Sequence, residues 1–408
     1  MNLLWGAYRL ATAGAGVIAP AARFAVSAPE RALWPERLGQ AGGSGPVDAW
    51  IHAASLGEAV AATAFADALE RRAPGARLHF TATTTSGRTR LQARGPTSLA
   101  PLDSPQAAGR FLARLKPRRL FLLETEIWPQ WLLGARRAGI PAAAISARLS
   151  SRTLRRLAWL GRDLRQLVAG LEAVLCHGQE DRERWLALGA RPERTVVTGN
   201  LKLDALPARA AYVGARRQAL GLDRHRPVLV LGSLRPGEAG PLGVAWSTLK
   251  PGLRAEWQVV AVPRHPRTTE ALRAEVAPLE EQGTREWKWE ERIGVLTDYY
   301  TVADVAFVGG SLVPVGGHNP LEPAACGVPV VMGPHIHAQR ESVLLLQRAG
   351  ALECVEGAAL SATLALLLSD PSERARRGDA ARQAVDAMRG VADRAVEQLA
   401  RWALWPAA

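Results

Sequence analysis

Cysteine is scarce in this chain: Cys176, Cys326 and Cys354 are the only three among 408 residues. They lie far apart in apolar surroundings, with no CxxC or Cys/His spacing between them. A disulfide framework and a zinc site are excluded, which leaves buried free thiols in a reducing compartment. GxxxxGK[ST] is missing, which argues against P-loop phosphoryl transfer, and so are the GxSxG elbow and HExxH. No Asp-x-Asp pair is present to clamp a metal-bound diphosphate. Neither a metal nor any other cofactor is expected.

A hydrophobic run of spanning length is also lacking. Near the N-terminus, Arg9 and Arg23 leave only Leu10–Ala22, 13 residues with Pro20 inside, where a spanning helix needs about 20. Val26-Ser27-Ala28 resembles a cleavage site, but the cationic start of a signal peptide is missing. Trp5, Tyr8, Arg9, Arg23 and Phe24 flank the apolar stretch as interfacial anchors do, so residues 1–30 are expected to form a membrane-surface anchor. Gly14-Ala15-Gly16-Val17-Ile18-Ala19 fits the dinucleotide fingerprint GxGxxG/A, yet no β-branched run precedes it and no acidic residue closes a second strand. Small residues in an Ala-rich segment are the better account.

What is present is the composition of a globular protein, 48% apolar and 22% charged. The net charge of +13 is spread mostly as Arg, without a dense basic block. An anionic membrane surface or an anionic substrate accounts for it as well as nucleic acid does, and no nucleic-acid partner is expected. From Asp48 onward short apolar runs alternate with amphipathic helical stretches, the pattern of a parallel α/β sheet. Trp50–Ala54, Leu78–Ala82, Leu120–Leu123, Ala142–Ser146 and Ala173–Cys176 are one strand series. Helical patterns such as Ser104–Leu115 and Gln130–Ala138 separate them. After a loose stretch, Asp204–Arg226, a second series follows: Val228–Gly232, Val259–Val262, Gly294–Leu296, Val305–Val308 and Val328–Met332. Two such series imply an α/β protein of two Rossmann-like domains with a cleft between them, residues 31–210 and 211–385. Ser372–Leu404 is helical in pattern throughout.

The densest functional signal follows the strand Val305–Val308. Gly309-Gly310-Ser311 and then Gly316-Gly317-His318-Asn319 lead into Pro320-Leu321-Glu322. Asn319 suits an N-cap, Pro320 the first helical position and Glu322 the third, a capping-box spacing. The glycines allow a ligand close to the backbone, and free N–H groups at a helix start favour a phosphate. Glu322 serves equally as a cap or as an acceptor for a ribose diol. Four glycines with a Ser, a His and an Asn in this stretch tip the balance toward ligand binding.

The first domain carries a parallel feature, Ser55-Leu56-Gly57-Glu58 after its first strand. Ser55 and Glu58 again have capping-box spacing, and a carboxylate there is alternatively placed to take a proton from an attacking hydroxyl. Arg88, Arg148, Lys202 and the Pro263-Arg264-His265-Pro266 turn fall at strand ends, where cations together suit an anionic ligand.

In order along residues 48–345, these segments resemble the 3-deoxy-D-manno-octulosonic acid (Kdo) transferases. The matches are Trp50–Glu58, Glu124-Thr125-Glu126-Ile127-Trp128-Pro129, Ala147–Ser150, Thr198–Asp204, Pro263–Pro266 and, above all, Phe307–Ala325. The resemblance implies a GT-B fold, with a C-terminal helix, residues 386–408, returning to the first domain. It implies transfer of Kdo from CMP-Kdo to a lipid A precursor, with inversion, at the cytoplasmic face of the inner membrane. It assigns the general base to Glu58 and donor contacts to Arg264, His265, Ser311, Gly316, Gly317, Asn319 and Glu322. Ser233 and His318 join the donor set by position, and Gly57, Arg88, Arg148 and Lys202 are candidate anionic-substrate contacts. The chain departs from the family at Gly232-Ser233-Leu234-Arg235-Pro236-Gly237-Glu238, where Leu234 replaces a hydroxyl and Arg235 offers a phosphate contact instead. It departs again near Thr297-Asp298-Tyr299-Tyr300, where the family has a Glu-Leu pair, and at Pro129-Gln130, where Pro-Asn is usual. The alternatives are a GT-B transferase for another nucleotide sugar or lipid acceptor, and a non-catalytic membrane-associated relative.

Overall fold

The computed structural model describes residues 3–406. The chain divides into two compact units: unit 1 runs to Ala205 and resumes at Gly390, and unit 2 is Leu206–Arg389. The joins therefore fall about five residues from the sequence-derived boundaries at 210 and 385. The N-terminal stretch belongs to unit 1 rather than standing apart.

In unit 1 seven parallel strands are ordered β3-β2-β1-β4-β5-β6-β7. They are β1 (Ala49–His52), β2 (Leu78–Ala82), β3 (Thr97–Leu99), β4 (Leu120–Leu123), β5 (Ala142–Ala147), β6 (Ala173–Cys176) and β7 (Thr195–Val197). Side chains alternate faces along a strand. Ala49 and Ile51 of β1 accordingly enter one apolar cluster, while Trp50 enters the other and packs on Phe111 and Trp131, with ring centroids 4.7 and 5.1 Å away. Helices α1 (Leu3–Ala22), α2 (Leu56–Arg72), α3 (Pro105–Leu115), α4 (Pro129–Arg137) and, later in the chain, α6 (Val391–Arg401) cover the two faces.

Unit 2 has a six-stranded parallel sheet, β10-β9-β8-β11-β12-β13. Its strands are β8 (Val228–Leu234), β9 (Gln258–Pro263), β10 (Lys288–Trp289), β11 (Val305–Val308), β12 (Val330–Met332) and β13 (Leu352–Cys354). The short helix α5 (Leu321–Ala325) lies between β11 and β12. Strand order reverses between β1 and β4 and again between β8 and β11. Open α/β sheets bind ligands beyond the carboxyl ends of the strands at such reversals.

Several expectations are corrected. Gly294–Leu296 is no strand: Gly294 turns at φ +86° into the helix Leu296–Tyr300. The helical stretch from Ser372 is two helices, Pro371–Asp386 and α6, broken at Gly390 with φ +77°. Of the intended interfacial residues, Trp5 is buried in the core of unit 1 and Tyr8 packs against it, its hydroxyl donating to Asp103. The outward stripe of α1 is instead Leu3, Leu10 and Val17, with Ile18 beside them. Gly16 lies within α1, where an added Cβ would fall 2.9 Å from the Ser104 Cβ. It is a close-packing glycine, outside any strand-to-helix turn. Among the described residues no helix is long and apolar enough to cross a membrane. All three cysteines are free, Cys176 and Cys326 buried and Cys354 half-buried.

Candidate active site

In unit 1, β1 ends at His52 and the chain turns through Ser55 into α2. Ser55 is the N-cap, its hydroxyl accepting from the Glu58 N–H at 3.4 Å and donating to the Glu58 carboxylate at 3.0 Å. The other carboxylate oxygen accepts the Ala54 N–H at 2.7 Å. The capping box forms in a shifted version, its return bond taken from the Ala54 N–H instead of the Ser55 N–H. Burial still pushes the Glu58 pKa above the ordinary carboxylate value; the Ala54 N–H opposes this, and the nearby Glu126 and Glu124 carboxylates add to it.

Those two glutamates come from the segment after β4. Glu124 holds φ at +57°, a left-handed conformation uncommon outside glycine, and is ion-paired to Lys202. Glu126 accepts from the Trp128 indole N–H at 2.6 Å and lies 3.3 Å from Nε2 of the fully buried His52. His52 is fixed in turn by the Thr81 hydroxyl, 2.9 Å from Nδ1, and by the Trp131 ring edge-on at 4.9 Å. Ser146 at the end of β5 also has positive φ, +50°, and its hydroxyl accepts the Leu201 N–H at 3.2 Å. The Lys202 stem passes over Gly57, 3.9 Å from where a Cβ would sit. Exposed Arg148 acts with Lys202 to lower the pKa of His177, though burial is the larger cause.

In unit 2, Ser233, the penultimate residue of β8, holds φ at +56°. Glu238, fully buried, then accepts four backbone N–H groups: Arg235 and Gly310 on one oxygen, each at 2.8 Å, and Ser311 and Leu312 on the other, each at 2.9 Å. This carboxylate fixes the glycine-rich loop to the turn after β8. Gly316 and Gly317 carry φ of +106° and +81°, and a Cβ on Gly316 would lie 2.6 Å from the His337 ring. The His318 imidazole faces Arg235, 3.3 Å from its Nε, and its pKa is pushed down to about 4 by burial and by Arg235, Arg264 and His265. It is thus neutral at neutral pH. Desolvation, then the charges of Arg264, Arg235 and Arg267, depress the pKa of His265, and none of the three arginines forms an ion pair among the described residues. Glu322 accepts from the Asn319 side-chain amide at 3.2 Å; burial raises its pKa, and Asn319 and Arg264 oppose that.

Residues 32–205 match the family model described as 3-Deoxy-D-manno-octulosonic-acid transferase (kdotransferase). A 3-deoxy-D-manno-octulosonic acid transferase of Bordetella pertussis is 37% identical over 396 residues, covering 90% of this chain and 91% of its own.

This chain belongs to the Kdo transferase family.

It is accordingly a glycosyltransferase. A Kdo transferase of Chlamydophila psittaci is 31% identical, covering 82% of this chain and 80% of that one. Among solved structures, the UDP-GlcNAc 2-epimerase of Neisseria meningitidis bound to UDP-GlcNAc superposes with a TM-score of 0.59 at 14% identity, covering 86% of this chain and 99% of that one. That likeness concerns the fold, which is GT-B with two Rossmann-like domains.

Within this Kdo transferase fold the sequence-derived residues divide. Gly57, Glu58 and Lys202 come together in unit 1, and Arg264, His265, His318 and the loop glycines in unit 2. Two hydroxyl and cation assignments give way. The Ser311 hydroxyl is fully buried, donating to the Val308 carbonyl at 2.6 Å and accepting the Gly333 N–H at 2.8 Å, so it ties β11 to β12 and has no surface for a ligand. Arg88 is bidentate on Glu36 at 3.0 and 2.8 Å, and Glu36 also accepts the Leu99 N–H at 2.6 Å. That pair fastens the edge of the sheet. The cap around Glu322 differs in detail: α5 begins at Leu321, whose N–H is taken by Asn319 at 3.1 Å, and Glu322 bonds the Asn319 amide rather than backbone. Glu124, Glu126 and Glu238 were given no role from sequence. Glu124 and Glu126 stand in the family-matching segment Glu124–Pro129, and Gly237-Glu238 repeats Gly57-Glu58.

Proposed function

We propose that the protein transfers Kdo from CMP-Kdo to a lipid A precursor, inverting the anomeric centre, with Glu58 as general base. The observation that carries this reading is the Glu58 carboxylate, partly satisfied and raised in pKa, at the strand-order reversal of unit 1. A base raised toward the working pH takes a proton more effectively than an ordinary glutamate. The acceptor oxygen forms its bond to the anomeric carbon as that carbon's bond to the CMP phosphate oxygen breaks. The hydroxyl proton goes to Glu58 and the electron pair leaves with CMP.

The donor set in this reading is Arg264, His265, Arg235, neutral His318 and the loop Gly316–Glu322. Unpaired guanidinium groups meet the two anionic groups of such a donor, its phosphate and its sugar carboxylate, through charge-assisted hydrogen bonds. Glu322, with a single hydrogen bond among the described residues, suits the ribose diol. The outward apolar stripe of α1 supports action at a membrane surface, in our reading the cytoplasmic face of the inner membrane. The test is incubation with CMP-Kdo generated in situ and a lipid A precursor, following CMP release and product mass. No CMP release by the wild type overturns the assignment, and undiminished turnover by Glu58→Gln overturns the base.

A further inference from the structure

Away from the carboxylates and the glycine-rich loop, α3 and α4 of unit 1 enclose a groove of about 650 Å³. That is within the range of small-molecule sites. Its walls are largely aliphatic, with Leu112 and Ile140 flanked by the small residues Ala108, Gly109, Gly134 and Ala138. Gly134 lets the Leu112 side chain lie over the floor, since a Cβ there would fall 2.8 Å from its Cδ1. Gly109 is different: a Cβ would meet nothing within 4 Å, so the space above it is open.

The charged side chains that line the groove are both basic. Lys116, the C-cap of α3, and Arg137, the last residue of α4, line it. Arg114 and Arg136 are exposed nearby. None of the four forms an ion pair among the described residues, and no acidic residue occurs in 104–123 or 127–140. The opposite end, at Pro105 and Gln130, meets α1: Gln130 donates to Thr12 at 2.9 Å, and Gln106 donates to the Ala13 carbonyl at 3.2 Å. The groove therefore runs from the helix with the exposed apolar stripe to the pair of cations Lys116 and Arg137. α3 with its C-cap spans about 17 Å at 1.5 Å per residue.

We infer that this groove holds one acyl chain of an anionic membrane lipid, with the headgroup phosphate on Lys116 and Arg137. The chain supplies apolar area to the aliphatic walls, and the phosphate answers two cations that form no ion pair among the described residues. The inference is independent of which sugar the protein transfers.

Myristoyl lysophosphatidic acid, kept below its micelle concentration, is titrated calorimetrically into the full-length protein. The wild type is expected to bind it saturably at one site. Gly109→Trp, which fills open space, should weaken binding at least tenfold with an unchanged melting midpoint. Lys116→Glu with Arg137→Glu should weaken it about tenfold and leave binding of monomyristoylglycerol unchanged. A photoreactive myristoyl analogue gives a readout that does not depend on any variant folding, and its label should fall in residues 105–117 or 129–140. Absence of binding, equal affinity in Gly109→Trp, or label confined to α1 overturns the inference. So does self-association of the wild type that Gly109→Trp abolishes, since the occupant would then be a second copy.

Discussion

Gly57-Glu58 and Gly237-Glu238 both follow the first strand of their sheet, Glu58 as the third residue of α2 and Glu238 as the N-cap of the helix Ala239–Ser247. Their fates differ. Glu238 is fully buried and collects four backbone N–H groups, three of them from a loop more than 70 residues later. Glu58 is bonded only by its own turn and lies near two other carboxylates. A carboxylate saturated by backbone donors becomes part of the framework, whereas one left short of donors among like charges keeps an affinity for a proton. One local motif thus supplies a fastener in unit 2 and a base candidate in unit 1.

Glutamine at the two positions puts the contrast to its hardest test. Glu58→Gln keeps the capping-box geometry and should cost about a thousandfold in turnover, with stability changed by less than about 0.5 kcal/mol. Turnover kinetics beside a melting curve separate the two effects. Glu238→Gln should do the reverse, because its amide N–H₂ faces backbone donors: a loss on the order of 3 kcal/mol by denaturant titration, with donor KM raised. If Glu238→Gln melts like the wild type, the framework role fails.

Buried histidines extend the comparison. His79 of unit 1 is 1% exposed, and burial pushes its pKa down to about 4. The unfolded chain, with a histidine pKa near 6.5, binds more protons between these values. Its contribution is therefore fully present above about pH 6.5 and is lost as pH falls through 4, by up to about 3 kcal/mol. His318 of unit 2 has the same sign. His79→Gln should flatten the stability profile between pH 4 and 6.5, and an unchanged slope would remove His79 from the acid response. The smallest expected effect is on the donor side. Arg235→Ala or Arg264→Ala should raise donor KM by roughly thirtyfold, about 2 kcal/mol, with turnover at saturation largely kept.

Much of the fold could be read from sequence because buried parallel strands are near-continuous apolar runs. Leu78–Ala82 and Leu120–Leu123 appear at their expected bounds. The short strands β3, β7, β10 and β13 leave no such run, whereas β12, as short as β3, sits in the longer apolar stretch Val328–Met332. Gly294–Leu296 had the right composition, but Gly294 turns the chain. At the candidate site, the Ser55–Glu58 box was legible because it is local. The Gly333 bond that buries the Ser311 hydroxyl, the pairing of Arg88 with Glu36 and three of the four donors on Glu238 come from residues 22 to 74 positions away, and no local pattern carries them.

Asp204 accepts the Gly390 N–H at 2.7 Å and the Ala392 N–H at 2.6 Å, closing the chain of unit 1 around the insertion of unit 2. Val391, Ala392, Val396, Leu399 and Trp405 then complete a core begun by β1 and α2. All of these residues are translated after the whole of unit 2. On the ribosome the apolar face that they cover therefore stays open until the whole of unit 2 has been made.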